Sequence, residues 1–281
     1  MSVSPNVPSV LNLFLSKNLR LPVCPVVFTR LSAALGSNDS SRNQLASILK
    51  TDAALTAAVL RVSNSAFYGA SRQISTVDQA ILRIGYAEVW KIAVGLKAKE
   101  VFCADGGASF HIWLYHHSLY TGLFLRHLGR VVNPRWDEFF FTAGILHDLG
   151  RLVLAQVDAN YPKACMQVDA FTSHGLQWER QQYQADHAQV SGALIEYWNL
   201  PKLLSSMIEA HHSPSASDRV KVCLWAADVW SYVVSNPGTL DPKVGEHLLK
   251  TKVFPLAQLK EDQAARIVKS VEEEKLSLTH E

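Results

Sequence analysis

The sequence predicts an all-α fold, and two observations lead to this prediction. Apolar residues recur at steps of three and four over most of the 281 residues, the spacing that gives a helix one apolar face. Few stretches show the alternation with a period of two that indicates a half-buried strand. We therefore expect a helical bundle with an additional helical subdomain on its N-terminal side.

The helices can be placed in order along the chain. Apolar spacing predicts two helices between Gln44 and Val62, with Asp52 as the N-cap of the second. The next helix opens at Ser75 with a sequence like a capping box, in which Asp78 takes the position usually held by Glu or Gln, and it stops at Gly85. Further helical segments are predicted at Tyr86–Ala98, Trp113–Val131, Trp136–Val157, Tyr161–Ser173, Leu176–Trp198, Pro201–His211 and Arg219–Val234.

Two breaks divide the chain into three predicted parts. The first is Ala104–Ser109, where two adjacent glycines separate two helical patterns. The second is Ser235–Gly238, after which the composition becomes more polar. We predict an N-terminal helical subdomain over residues 1–105, a helical bundle over 106–235 and a C-terminal helical extension over 236–281.

The composition argues against several classes of partner. The 27 basic and 25 acidic residues are interspersed and give a net charge of +2, so no basic stripe predicts binding to nucleic acid. No apolar run approaches the roughly 18 residues of a membrane span. The four cysteines are far apart and form no Cys-x-x-Cys pair, which is typical of buried thiols in a reducing compartment. We expect a cytoplasmic protein that binds neither nucleic acid nor membranes.

A histidine and an aspartate lie side by side in the apolar stretch GILHDLGRLVLAQ, from Gly144 to Gln156. On a buried helix, a polar group without a partner costs roughly 2–7 kcal/mol, so His147 and Asp148 need compensation, and a metal ion would supply it. Neighbouring helical residues point about 100° apart, so we expect only one of the two to face the centre of such a site squarely, while the other can bind from the flank. A lone buried histidine is more often hydrogen-bonded to a carbonyl, and this alternative stays open.

Other candidate ligands come from separate helices, which is how a bundle builds a site in its core. Nine of the eleven histidines fall between His111 and His212. Imidazole and carboxylate ligands without thiolates suit iron, manganese, zinc or nickel, and two adjacent ions can activate water for attack on phosphorus. The further candidates are His117, His187, His211, His212 and Asp228.

Several stretches together make the chain resemble the HD superfamily of metal-dependent phosphohydrolases, and more closely its HDOD (HD-related output domain) branch. The resemblance covers roughly residues 44–234. The first matching stretch is RVSNSAFYGASRQISTVDQAILRIG, residues 61–85. The others are HSL at 117–119, AGILHDLGRLVL at 143–154, DHAQVSGALIEYWNLP at 186–201 and EAHHSP at 209–214.

The resemblance implies a ligand set for one or two divalent ions. His117, His147, Asp148 and Asp228 match the ligands of one metal, and His187, His211 and His212 match those of a second. Many members of the HDOD branch lack some of these residues, and the branch is regarded as a signalling module; this chain keeps all seven.

The chain also departs from the superfamily in two places. Ser213–Ala216 stands where enzymes that cleave cyclic di-GMP carry Gly-Tyr-Pro, so that activity is not expected. Arg151 stands where the superfamily commonly has lysine. Arginine keeps the charge, but its rigid fork does not replace a lysine in every geometry.

Three functions remain open from the sequence. The first is a regulatory module of bacterial signal transduction that binds a protein partner or a small phosphorylated ligand, with Asn64 and Ser65 satisfying backbone groups at a helix end. The second is an active phosphohydrolase, in which Asp148 orients the attacking water and Arg151 or Lys163 holds substrate phosphate. The third is a helical interaction protein whose histidines are only packed.

Overall fold

Helices form all of the regular secondary structure in the part of the chain that the computed structural model describes, which confirms the all-α prediction. The described residues are 8–17, 49, 53–68, 74–102, 109–167, 173–198, 200–235, 247, 250, 255 and 259–279. The predicted N-cap Asp52 lies outside them, as do residues 103–108 and 236–240 at the two predicted breaks. The three-part division of the chain therefore stays a prediction.

Thirteen α-helices of seven or more residues lie within these ranges, together with 3-10 turns at Ala66–Tyr68 and Pro134–Trp136. They are α1 Ser9–Ser16, α2 Ala53–Ser63, α3 Val77–Ile84, α4 Tyr86–Phe102, α5 Ser109–Val132, α6 Asp137–Leu146, α7 Leu149–Val157, α8 Tyr161–Gln167, α9 Ser173–Tyr183, α10 His187–Tyr197, α11 Lys202–Glu209, α12 Arg219–Ser235 and α13 Glu261–Thr279.

The long helix α5 is the axis of the bundle. It packs against α4, α6, α12 and α13, and the buried apolar residues from α1 to α13 form one cluster. At the α5–α12 contact the rings of Phe124 and Trp230 stack with their centroids 4.5 Å apart. Because most of this helix is buried, a polar residue on it, such as His117, must find its partners inside the protein.

The start of α3 differs from the prediction by one residue. Thr76, not Ser75, is the N-cap: its side chain accepts from the backbone of Gln79, and the Gln79 side chain accepts from the Thr76 backbone. Asp78 lies in the first turn but is not the capping partner. The predicted stop at Gly85 is correct, and its φ of 83° explains why glycine ends this helix.

Asn64 joins two segments of the first helical region instead of capping its own helix. Its side-chain nitrogen donates to the Ile74 carbonyl at 2.8 Å, and its oxygen accepts from the Ile74 amide at 2.9 Å. Asn64 satisfies backbone groups as expected, but they are those of Ile74, ten residues along the chain, and not those at the end of its own helix. These two hydrogen bonds hold the segment that leads into α3 against the end of α2.

Two segments predicted as single helices are each interrupted, the first at His147 and the second shortly before His187. The segment from 136 to 157 divides into α6 and α7, with a turn at His147 and Asp148. The segment from 176 to 198 divides at Gln184, whose φ is 59°, and α10 then opens with Asp186 and Gln189 as a capping box. Each break leaves a histidine at a helix end: His147 follows α6, and His187 is the first residue of α10.

No helix in the described ranges is long and apolar enough to cross a membrane.

A buried cluster of charges joins α13 to α4 and α5. The Lys91 ammonium lies 2.7 Å from Glu274 and 2.6 Å from Glu88. Arg126 pairs with both carboxylates, at 3.0 Å for Glu274, and His127 lies 3.1 Å from Glu274. Lys91 is 1% exposed, so its charge depends on these partners.

Replacing Glu274 with glutamine is expected to lower the free energy of unfolding by about 1.5–3 kcal/mol, because charge-assisted bonds to Lys91 and Arg126 are lost in a buried place. Burial would raise the pKa of Glu274, but His127, Lys91 and Arg126 hold it well below its usual value. A lowered folded-state pKa stabilises the protein above the unfolded value of about 4.3, and this contribution fades as the pH falls below it.

Urea unfolding at several pH values checks this prediction. The difference between wild type and Glu274→Gln should be full at pH 7 and should shrink as the pH falls below about 4. Glu273→Gln is the matched control, since the adjacent Glu273 side chain is 51% exposed. Equal losses from both substitutions would contradict the prediction.

Candidate metal centre

All seven predicted ligands converge on one place in the bundle. Six of them are at most 2% exposed, and His212 is partly exposed. They come from five segments, so the site depends on the whole bundle and not on one motif. These ligands are His117 on α5, His147 and Asp148 between α6 and α7, His187 at the start of α10, His211 and His212 after α11, and Asp228 on α12.

The turn between α6 and α7 lets both members of the His-Asp pair face the site. His147 Nε2 lies 3.6 Å from Asp148 Oδ2 and 3.5 Å from Asp228 Oδ1. We expected one of the two to face the centre and the other to bind from the flank of a continuous helix; instead the helix is interrupted at His147 and Asp148, and both side chains lie against the site.

The first ligand group consists of His117, His147, Asp148 and Asp228. His117 Nε2 lies 3.0 Å from Asp228 Oδ1 and 3.7 Å from Asp148 Oδ2. One ligand atom from each of His117, His147 and Asp148 falls within 4.8 Å of the others. Nitrogen and oxygen ligands at these separations can surround one divalent ion.

The second ligand group consists of His187, His211 and His212. The Nε2 atoms of His187 and His212 are 2.7 Å apart, and the ligand atoms of the three histidines lie within 4.8 Å of one another. Asp148 links the two groups: its Oδ1 is 3.2 Å from His187 Nε2 and 3.8 Å from His211 Nε2. The two ligand groups therefore share one carboxylate.

A set of outer hydrogen bonds orients four of the imidazoles. The Nδ1 atom of His147 lies 2.7 Å from the Gly144 carbonyl, and that of His211 lies 2.6 Å from the Ile208 carbonyl. His117 Nδ1 and His187 Nδ1 have the side-chain partners Ser231 Oγ, at 2.8 Å, and Glu179 Oε2, at 2.7 Å. Each ring is thereby held with Nε2 toward the carboxylates, as metal-binding histidines are.

Several inward atoms lack a hydrogen-bond partner among the described residues. They are Nε2 of His147 and His211 and Oδ1 of Asp148 and Asp228, all of which are buried. Buried polar atoms are rarely left in this condition, because each costs about 1–3 kcal/mol. The donor set therefore fits a divalent cation that these atoms would bind.

Comparison with known proteins agrees with this geometry. The HDOD domain model matches residues 21–214, more than two thirds of the chain. The chain belongs to the HDOD family. An uncharacterized protein of Treponema pallidum (strain Nichols) is 22% identical over 214 residues, which are 72% of this HDOD chain and 39% of that protein.

Solved structures share the HDOD fold. An HDOD domain protein of unknown function from Geobacter sulfurreducens has a TM-score of 0.74 at 21% identity over 96% of both chains. A protein from Shewanella amazonensis SB2B, provisionally named a metal-dependent phosphohydrolase, has a TM-score of 0.61 at 19% identity over 96% of both chains. A protein provisionally named for signal transduction, from Marinobacter aquaeolei VT8, has a TM-score of 0.67 at 19% identity over 95% of this chain and 64% of that one.

The pKa shifts of His211, His212 and Asp228 in the HDOD site suit metal binding. Burial and the nearby His147 lower the pKa of His211 to about 4. Burial and His211 hold the pKa of His212 well below its usual value. Burial would raise the pKa of Asp228, but the nearby His117 and His147 keep it well below the usual range. Neutral imidazoles and ionised carboxylates are the forms that bind a metal ion.

The two predicted phosphate-binding residues lie in different surroundings. Arg151 is fully buried, and its Nε donates to Asp148 Oδ2 at 2.8 Å. Burial would raise the pKa of Asp148, but Arg151 and His147 hold it well below its usual value. Lys163 on α8 is exposed. Arg151 is thus a partner of a ligand, and no contact of the described structure joins Lys163 to the ligand set.

Glu179 is a residue of the candidate site that sequence reasoning missed. It lies on α9, where its carboxylate accepts from the His187 backbone amide at 2.8 Å and from the Tyr161 hydroxyl at 2.7 Å. Burial would raise its pKa, but His187 and Arg151 lower it to about 2. Its position eight residues before His187, across a helix break, gave no periodic signal.

Glu179→Gln is expected to weaken metal binding by about 10–100-fold, because an amide orients and polarises the His187 ring less than a carboxylate does. Titration of the metal-stripped protein with Zn²⁺ measures this effect. Glu196→Gln, on the exposed side of α10, should leave the affinity unchanged. An unaltered Zn²⁺ affinity in Glu179→Gln would show that the carboxylate does not support a ligand.

Proposed function

We propose that this chain is an HDOD-type regulatory protein of bacterial signal transduction, built around a divalent metal centre of one or two ions. Its ligands would be the first and second ligand groups. The observation that carries the proposal is the orientation of the imidazoles: four of them are held at Nδ1 by an outer partner and direct Nε2 at two buried carboxylates. Imidazole and carboxylate ligands favour iron, manganese, zinc or nickel.

The burial of the site favours a regulatory role over turnover. His117, His147 and Asp148 are each 0% exposed, and the Trp113 ring stacks on His117 with centroids 5.6 Å apart. A phosphoester would have to open this packing to approach the ligands. An ion bound there would instead tie five segments of the bundle together, so that its occupancy would alter the stability of the whole fold.

The input and output of such a module would be a signalling protein partner or a small phosphorylated ligand. Cyclic di-GMP hydrolysis is not proposed, because Ser213–Ala216 lacks the Gly-Tyr-Pro sequence. The balanced charge gives no reason to propose nucleic acid or a membrane as a partner. A cytoplasmic location fits the separated, unpaired cysteines Cys165 and Cys223.

Metal analysis of protein purified without an affinity tag tests the proposal. We expect at least one equivalent of iron, manganese, zinc or nickel per chain, and a rise in melting temperature when stripped protein is reconstituted. His117→Gln should reduce the content, whereas His127→Gln, on the same helix, should not. A content far below one equivalent that does not rise on reconstitution would reject the metal centre.

A metal-dependent phosphohydrolase is the second candidate, and the shared carboxylate favours it. Asp148 lies between two ligand groups, and adjacent ions held in this way serve hydrolases by positioning a water and a phosphorus centre. In this case Asp148 would orient the water. Assays of phosphomonoesters, phosphodiesters and nucleotides with added manganese or iron distinguish the candidates: turnover abolished by His147→Ala supports the enzyme, and its absence from fully metallated protein supports the regulatory module.

A further inference from the structure

Arg151 reaches into the second ligand group. One of its terminal nitrogens (Nη2) lies 3.2 Å from His187 Nε2, the atom that faces the other ligands. Its Nε donates to Asp148 Oδ2 at 2.8 Å. The guanidinium is therefore a built-in cation at the edge of the proposed metal centre.

The direction of the bond to His187 follows from Glu179. The Glu179 carboxylate is ionised and can only accept, so the proton of the His187 ring lies on Nδ1, which faces Glu179 at 2.7 Å. His187 Nε2 then carries a lone pair, which accepts from Arg151 at 3.2 Å and also faces His212 Nε2 at 2.7 Å. That lone pair is the one with which His187 would bind an ion.

The two atoms that accept from Arg151 differ in the number of lone pairs that remain for a metal ion. A carboxylate oxygen has two lone pairs, so Asp148 Oδ2 can accept from Arg151 and still face His117 and His147. His187 Nε2 has one lone pair, and a hydrogen bond occupies it. Arg151 therefore obstructs the second ligand group and not the first.

Arg151 is held in this place from its other side. Its Nη1 atom lies 3.2 Å from the Cys165 sulfur, 3.3 Å from the Tyr161 hydroxyl and 3.5 Å from Glu179 Oε1. The side chain is 0% exposed and stays charged. An ion entering the second group would have to break the bond to His187 and tolerate a fixed positive charge beside it.

We propose that Arg151 is a positioning residue that makes the two ion positions unequal: the first ligand group binds one ion tightly, and the second binds its ion only weakly. This inference rests on the proposed metal centre. The protein would then bind its first ion at a low concentration of free metal ion and its second only at a higher concentration.

Titration of metal-stripped protein with Co²⁺, followed by calorimetry and by the visible absorption of the bound ion, tests this inequality. In wild type the second Kd should exceed the first by about tenfold or more. Arg151→Met removes the donor at similar length, and it should tighten the second Kd by about tenfold with a smaller change in the first. Arg151→Lys, which keeps a charge without the fork, should lie between them.

Arg180→Met is the matched control, because Arg180 pairs with Asp186, next to His187, but is 53% exposed. It should leave both constants unchanged. His117→Gln should remove the tight ion, and His212→Gln should leave it in place, which assigns the two positions.

The outcomes separate this inference from the proposed function. Two ions of equal affinity in wild type, unchanged in Arg151→Met, would overturn the role of Arg151 and leave the metal centre standing. No bound Co²⁺ in any sample would overturn both. Circular dichroism shows which variants fold, and if both Arg151 variants fail to fold, the ratio of the two wild-type constants decides the matter alone.

Discussion

Asp148→Ala is expected to lower the free energy of unfolding of the metal-free protein by about 3–5 kcal/mol and to abolish metal binding. The stability loss comes from Arg151, which is 0% exposed and would lose its 2.8 Å partner in a place that water does not reach. The metal loss comes from the shared position of the carboxylate, since Asp148 contributes an oxygen to each ligand group. Urea unfolding and metal analysis measure the two effects.

Two comparisons make this experiment specific. Asp262→Ala removes a carboxylate whose side chain is 65% exposed and which pairs with Arg266 at 2.7 Å, so its effect should stay below about 1 kcal/mol. The double substitution Asp148→Ala with Arg151→Met should recover part of the stability without recovering metal, because no unpaired buried charge remains. A stable Asp148→Ala variant with full metal content would refute the assigned role of Asp148.

The candidate ligand residues could be predicted from the sequence, but the geometry that brings them together could not. Histidine and aspartate in apolar helical stretches indicate buried polar groups that need partners, and this reasoning found His117 and Asp228. The sequence does not identify the residues that hydrogen-bond to these side chains from outside the site. Ser231 becomes the partner of His117 only because α12 packs on α5. Which residues hydrogen-bond to the outer nitrogens of these histidines is decided by tertiary contact alone.

The errors have physical causes of the same kind. Apolar periodicity runs through His147 without interruption, so it cannot reveal that the chain turns there to bring Asp148 round. Arg151 looks like a solvated or substrate-binding residue by composition, because arginine is rarely fully buried. Only the packing of α7 against α10, with α8 beside it, turns its guanidinium inward to Asp148 and His187.

The close approach of α7 and α10 depends on Gly150. Its amide donates to Ser191 Oγ at 2.7 Å, in the first turn of α7, where a helix has amides without internal partners. A Cβ at this position would lie 2.1 Å from the carbonyl oxygen of His187 and 2.9 Å from the Ser191 amide nitrogen. Both atoms belong to the backbone, so no side-chain rotation relieves the contact, and α10 would have to move.

Gly150→Ala is therefore expected to lower the free energy of unfolding by about 3 kcal/mol, at the upper end of overpacking costs, and to displace His187 from the metal centre. Gly95→Ala is the matched control: a Cβ there would meet Leu119 and Phe141 side-chain atoms at 3.8 and 3.9 Å, ordinary contact distances. Because Gly95 lies inside α4, alanine should stabilise the protein by about 0.5–1 kcal/mol. Urea unfolding gives both changes, and Co²⁺ titration reports His187. Equal stability of the two variants would mean that α7 and α10 tolerate a wider separation, and the ligand geometry would then not depend on their contact.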